Sequence, residues 1–227
     1  APLSGALMAV EYHGRIDPIS LIPCLVAAAS GYVAFASANG LRPLLPLPSL
    51  PPLGAKEIGY ALVLGLLAGL MANVFQWVRT TAHRGLGHIP LLWRGCAAGV
   101  GLVILSLPAH FFWPGLPVTQ GGGLEFITHL LADPSPAGWA LAFLALKLAA
   151  TALTLAGGGV GGLWLPSLAM GASVGAAFAG AFGLANPGYL MLVGAASFAG
   201  ATHDTLLVPV VFLAETTAQA ALVVPAL

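Results

Sequence analysis

Charge is what this sequence has least of. Its 227 residues hold seven Lys and Arg against seven Asp and Glu, so the formal net charge is zero. Only 6% of the residues are charged, where ordinary soluble domains carry about 25%. That scarcity argues against a soluble fold, and a pI near 7.2 leaves no basic face for nucleic acid. Cysteine is nearly absent. Cys24 and Cys96 both lie in apolar segments, where buried packing is expected rather than a disulfide or a metal pair. No His-x-x-Glu-His or Cys/His set has ligand spacing, so no metal is expected. No secretory signal opens the chain. It starts at Ala1-Pro-Leu-Ser inside one apolar run and stops inside another at Pro225-Ala-Leu, which leads us to expect a piece of a longer membrane protein.

What is present is hydrophobic. Apolar residues make up 59% of the chain, and the mean hydropathy is +0.96. Ala1 to Glu11 is apolar but, at ~1.5 Å per residue, too short to cross a ~30 Å hydrocarbon core. A polar knot follows (Glu11, Tyr12, His13, Arg15, Asp17). Pro18 to Asn39 is long enough to span. The Pro/Leu stretch from Gly40 to Gly54 cannot be helical and predicts an extended connector. Further helices are expected over Lys56–Arg79, Leu91–Phe112, Leu124–Leu131 and Ala137–Leu155, with Trp93 and Trp113 as interface anchors. Short helices follow at Tyr189–Gly200 and from Thr202-His203-Asp204 to Glu215, with Asp204 as an N-terminal cap. Ala218 to Leu227 would begin another. The basic cluster Arg79, His83, Arg84, His88 and Arg94 marks a cytoplasmic end, which puts the Glu11–Asp17 knot inside and the Pro-rich connector outside. Helices this unequal fit a transporter or channel with re-entrant elements.

The stretch from Gly157 to Pro166 organises the rest. Nothing between Lys147 and Asp204 is charged, so the glycine run lies at membrane depth. Irregular backbone is tolerated there only where it is buried in protein or lines a cavity. Bare N–H groups of the glycines and the positive end of the helix opening beside Pro166 make an anion cradle without a cationic side chain. The run lacks the Gly-Lys-Ser/Thr of a phosphate loop and follows no strand. Ser167 and Ser173 have no base within a turn, which argues against a serine hydrolase. Glu11 is either a helix-end charge or a functional intramembrane carboxylate. Glu215 reads as an ordinary helix-end charge. Lys147 either snorkels or shapes an inner anion vestibule. One internal echo stands out: Ala1–Glu11 and Asp204–Glu215 are both short apolar segments ending on a lone Glu.

Gly161-Gly-Leu-Trp-Leu-Pro-Ser-Leu-Ala-Met-Gly resembles the Gly-x-Phe-x-Pro selectivity segment of the CLC family of chloride channels and chloride/proton exchangers. Thr119-Gln-Gly-Gly-Gly, Phe198-Ala-Gly-Ala-Thr-His-Asp-Thr-Leu with Leu213-Ala-Glu-Thr-Thr, and Ala1-Pro-Leu-Ser-Gly-Ala-Leu-Met-Ala-Val-Glu are similar to other family segments in the same order. The resemblance implies an all-α, multi-pass protein of the inner or plasma membrane, with an inverted repeat and broken helices. Residues 1–39 would end the first repeat, 40–55 form an external linker, and 56–227 the second repeat without its last helix. It implies an ion site with one wall here, from the backbone N–H groups of Gly162, Leu163 and Trp164 in the selectivity segment Gly161–Pro166. The gating glutamate and the final tyrosine would lie outside this chain. It further implies a non-enzymatic homodimer touching near 1–39 and 203–227, carrying chloride with no cofactor. Three departures stand against the pattern. Trp164 replaces the usual Phe, His203-Asp-Thr-Leu replaces Ala-Pro-Leu, and Tyr12 replaces a carboxylate that delivers protons after Glu11. A phenol with pKa near ~10 is a poor relay. A fluoride-handling relative and a non-transporting scaffold remain the alternatives.

Overall fold

The computed structural model describes residues 2–13, 18–40, 43–45, 54–133, 136–184, 186–219 and 226. Among them the chain is helical throughout, with no strand. The helices are α1 (Pro2–His13), α2 (Pro18–Asn39), α3 (Ala55–Leu86), α4 (Leu91–Phe112), α5 (Leu124–Ala132), α6 (Ala137–Ala156), α7 (Trp164–Ala181), α8 (Pro187–His203) and α9 (Leu207–Thr217). Five stretches are long and apolar enough to cross a membrane: Leu21–Asn39, Ala55–Leu86, Leu91–Phe112, Ala137–Ala156 and Trp164–Phe182. Most of the Pro-rich connector, the knot from Gly14 to Asp17 and nearly all of the expected last helix lie outside the described residues.

The core is the antiparallel pair α7 and α8, braced by α3 and α6. Every residue of α7 from Pro166 to Ala179 is buried. A helix apolar on all sides has no lipid-facing preference and belongs inside a bundle. Small residues set how close the pair comes. A Cβ on Gly175 would sit 2.2 Å from the Leu190 carbonyl oxygen, and one on Gly171 would sit 2.3 Å from that of Gly194. In lipid, where hydrophobic burial drives helix association only weakly, such backbone contact supplies the packing.

Several boundaries differ from expectation. α3 runs on to Leu86, so Arg79, His83 and Arg84 ride on its last turns instead of following it. Asp204 does not start α9. It closes α8 in the left-handed region at φ 53, its N–H donating to the Gly200 carbonyl. Trp113 is buried against Phe126 and Trp139, at ring distances of 6.2 and 5.3 Å, and is no interface anchor. Cys96 is exposed and Cys24 half-buried, both as free thiols, so neither is a deep packing residue.

Because Gly175 faces backbone, Gly175→Ala should cost about 1–3 kcal/mol, seen as a lower thermal midpoint of the detergent-solubilised protein. Gly69→Ala, with nothing within 4 Å of the new methyl, should leave the midpoint in place. Equal midpoints for the two would refute close α7–α8 packing.

Candidate anion site

A cavity of about 380 Å³ lies where α4, α6, the loop before α5 and the loop before α7 meet. Its lining includes Gly161, Gly162, Leu163 and Pro166 from the glycine loop, and Thr119, Gln120 and Gly121 from the loop before α5. α6 adds Lys147, Thr151 and Thr154. No carboxylate borders it.

The glycine run divides into two parts. Gly157, Gly158 and Gly159 donate to the carbonyls of Leu153, Leu155 and Thr154 at 2.8, 3.1 and 2.9 Å, ending α6. Their N–H groups are therefore used, and the cradle is shorter than the whole run suggested. From Val160 to Leu165 no N–H finds a partner among the described residues. Leu163 is the N-cap residue of α7, and Trp164 and Leu165 begin its first turn. Helix starts leave such donors without an intrahelical acceptor, and the macrodipole adds positive potential at the same place. Pro166, having no N–H, fits that turn without loss.

Lys147 is 1% exposed. Its ammonium donates to the carbonyls of Gln120 and Gly121 at 3.0 and 2.7 Å. The cation thus draws carbonyls of the loop onto itself and fixes one wall of the cavity against α6. The Trp164 ring turns away from the cavity. It packs edge-on to His203 and Phe212, with centroids 5.1 and 5.7 Å apart, so α8 and α9 hold the residue whose N–H opens α7.

Glu11 is not beside this cavity. Its carboxylate accepts from the N–H groups of Leu206, Leu207 and Val208 at 3.1, 2.7 and 2.8 Å, capping α9. Glu215 returns the arrangement. It accepts from the N–H groups of Leu3 and Ser4 at 2.8 and 3.0 Å and from the Ser4 hydroxyl at 2.9 Å, capping α1. Each carboxylate at the end of one helix closes the start of the other, so Glu215 is more than an ordinary helix-end charge. The Tyr12 side chain lies outside the described part.

A family model for the voltage gated chloride channel matches residues 1–227. The chain belongs to that family. It is 26% identical over 229 residues to the voltage-gated ClC-type chloride channel ClcB of Citrobacter koseri, aligning 96% of this chain with 53% of that one. The crystal structure of a CLC-type fluoride/proton antiporter matches 99% of this chain and 56% of its own, with TM-score 0.78 and 25% identity. A slow cyanobacterial Cl−/H+ antiporter shares the fold at TM-score 0.86 and 20% identity, over 100% of this chain and 54% of its own. The chain spans about half the length of the relatives it matches. As a voltage-gated chloride channel family member with five helices, among the described residues, long and apolar enough to cross a membrane, it is a multi-pass membrane protein.

Of the residues expected at the site, Gly161, Gly162, Leu163, Pro166 and Lys147 meet at one cavity. Trp164 is not among the residues that line it; its ring packs against His203 and Phe212 instead. Sequence reasoning missed Thr151 and Thr154. With Lys147 they form a polar stripe at i, i+4 and i+7 on an otherwise apolar helix, the helical spacing that places three side chains on one face. Their hydroxyls donate to the Lys147 and Ala150 carbonyls, both at 2.7 Å, so only oxygen lone pairs remain for other contacts.

Lys147→Met should free the Gln120–Gly121 carbonyls, and amide hydrogen exchange across 119–123 should rise at least about tenfold, one bonded pair being worth ~1.4 kcal/mol. Unchanged exchange would show that the ammonium does not hold the loop. Glu11→Ala should destabilise α9 by about 1–2 kcal/mol, as loss of an N-terminal cap does, read by exchange at Leu206–Val208.

Proposed function

We propose that the protein passes chloride, or a similar small anion, across the bilayer, with the amides of residues 160–165 as one wall of the ion site. The observation that carries this reading is the row of unpaired N–H groups at the start of a buried helix, beside a cavity without carboxylates. Residues 160–162 are exposed and 163–165 half-buried, so their bare amides are open to a partner such as an anion, and the helix dipole adds positive potential there. Neutral donors also bind weakly enough for release, as conduction requires. The reading makes the protein a transporter rather than an enzyme and needs no cofactor beyond the ion carried. The curated relative named a chloride channel and the structural relatives named antiporters support the substrate class, as channel or as anion/proton exchanger.

Residues 1–39 and 56–227 fit the proposed halves of an inverted repeat. α1 and α9 carry the same pattern and cap one another. The proposed homodimer contact would use the exposed helix α2. α2 has none of its span buried and exposes Ile22, Val26, Val33 and Phe35, an apolar face that a second copy or lipid would cover.

A second reading, fluoride transport, is supported by the fluoride/proton antiporter among the structural relatives. One experiment separates these. The full-length parent protein is reconstituted in liposomes, and chloride and fluoride efflux are recorded with external pH. Chloride efflux is expected. Gly161→Pro, which deletes one N–H, should slow it about tenfold, the worth of one hydrogen bond of ~1.4 kcal/mol. Gly161→Ala keeps the N–H, meets open space, and should behave as wild type. No anion efflux would sink the proposal; faster fluoride efflux would select the second reading. The pH trace divides channel from exchanger.

A further inference from the structure

α3 is 32 residues long, about 48 Å at helical rise, well beyond a ~30 Å hydrocarbon core. Its last turns therefore stand among lipid headgroups, on the cytoplasmic side by the positive-inside rule. They carry Arg79, His83 and Arg84, which with Thr80 and Leu155 border a cavity of about 390 Å³. Arg94 approaches the same end of the bundle from α4. Its Nη2 lies 3.2 Å from where a side chain on Gly158 would begin, and its Nε is buried without a partner. These cations are not ion-paired, although Asp204 reaches the same region, where it and Arg79 both act on His203. The sequence has no Asp or Glu between Glu57 and Glu125, and among the described residues Arg79, Arg84 and Arg94 make no ion pair. Trp77 and Trp93, 68% and 66% exposed, stand next to them in sequence, as aromatic residues do at a membrane surface.

We propose that this basic pocket binds the headgroup phosphate of an anionic phospholipid in the cytoplasmic leaflet. Guanidinium forks match phosphate oxygens in pairs. Basic pockets between spanning helices on the cytoplasmic side bind such headgroups, and the exposed tryptophans offer surface to the acyl chains. The occupant would reach the anion site mechanically. Leu155 lines the pocket and Arg94 lies over Gly158, both at the end of α6 that leads directly into Val160–Leu165. A bound lipid therefore steadies the backbone from which the unpaired amides project.

The test is native mass spectrometry of the full-length protein, offered equal amounts of phosphatidylglycerol and phosphatidylcholine with matched chains. Wild type should retain phosphatidylglycerol preferentially. The preference should fall about fivefold for each guanidinium removed, the effect expected for one basic residue near an anionic surface. Arg84→Gln removes one, and Arg79→Gln with Arg84→Gln removes two. Lys56→Gln, at the opposite end of α3, should leave it unchanged. Because Arg84 is exposed, its single variant keeps the test valid should the double variant fold poorly. Equal retention of the two lipids by wild type, or undiminished retention by Arg84→Gln, would overturn the proposal. So would displacement of the lipid by millimolar glycerol phosphate, which would assign the pocket to a soluble phosphate.

Discussion

Inside a bilayer no water is at hand to satisfy a peptide group, and that constraint shapes this molecule more than any side chain does. Each exposed N–H or C=O in hydrocarbon costs several kcal/mol. A chain of short and broken helices multiplies helix ends, and so multiplies the groups that must be paired. Polar side chains here find partners on the backbone. Serine and threonine hydroxyls turn back onto carbonyls four residues earlier, as at Ser167, Ser173, Ser197 and Thr202. The two reciprocal carboxylates close the starts of α1 and α9. Against this background the run from Val160 to Leu165 stands out for its length, six consecutive residues with no bonded N–H among the described residues.

Lys147 and the α7 start divide the labour at the cavity by sign. The ammonium takes carbonyls, the negative ends of peptide groups, and fixes them on one wall. The start of α7 on the same cavity carries unpaired amides, the positive ends of peptide groups. A full cation free in the cavity would hold an anion too tightly to release it. A cation committed to carbonyls leaves the weaker peptide dipoles to face the cavity. The Trp164 ring anchors the start of α7 to α8 and α9 through His203 and Phe212.

α1 and α9 extend this backbone economy to the scale of the whole chain. They are far apart in sequence yet exchange caps, so the beginning of the chain and its last described helix are held by charge-assisted hydrogen bonds, which are stronger than neutral ones. Through Phe212 against Trp164, α9 also touches the residue that opens α7. α1 is thereby linked through α9 to the residue that opens α7.

Much of the fold could be read from the residues. Leu91–Phe112 is bounded by prolines and interrupted by nothing polar enough to stop it, and the helix has those ends. The glycine loop between two apolar helices, with bare amides at the start of the second, was legible in the uncharged stretch between Lys147 and Asp204 and its Gly-rich sequence. The pattern of two short segments each ending in glutamate was visible as well. What the residues could not disclose was pairing. Glu11 and Glu215 each look like a local helix end, because nothing in one dimension says that a carboxylate will meet an amide some two hundred positions away. Nor could they divide Gly157–Gly159, whose N–H groups complete α6, from the three residues after them. Composition and periodicity report whether a segment can be buried and in what conformation. Which donor meets which acceptor depends on distances that exist only once the helices have packed.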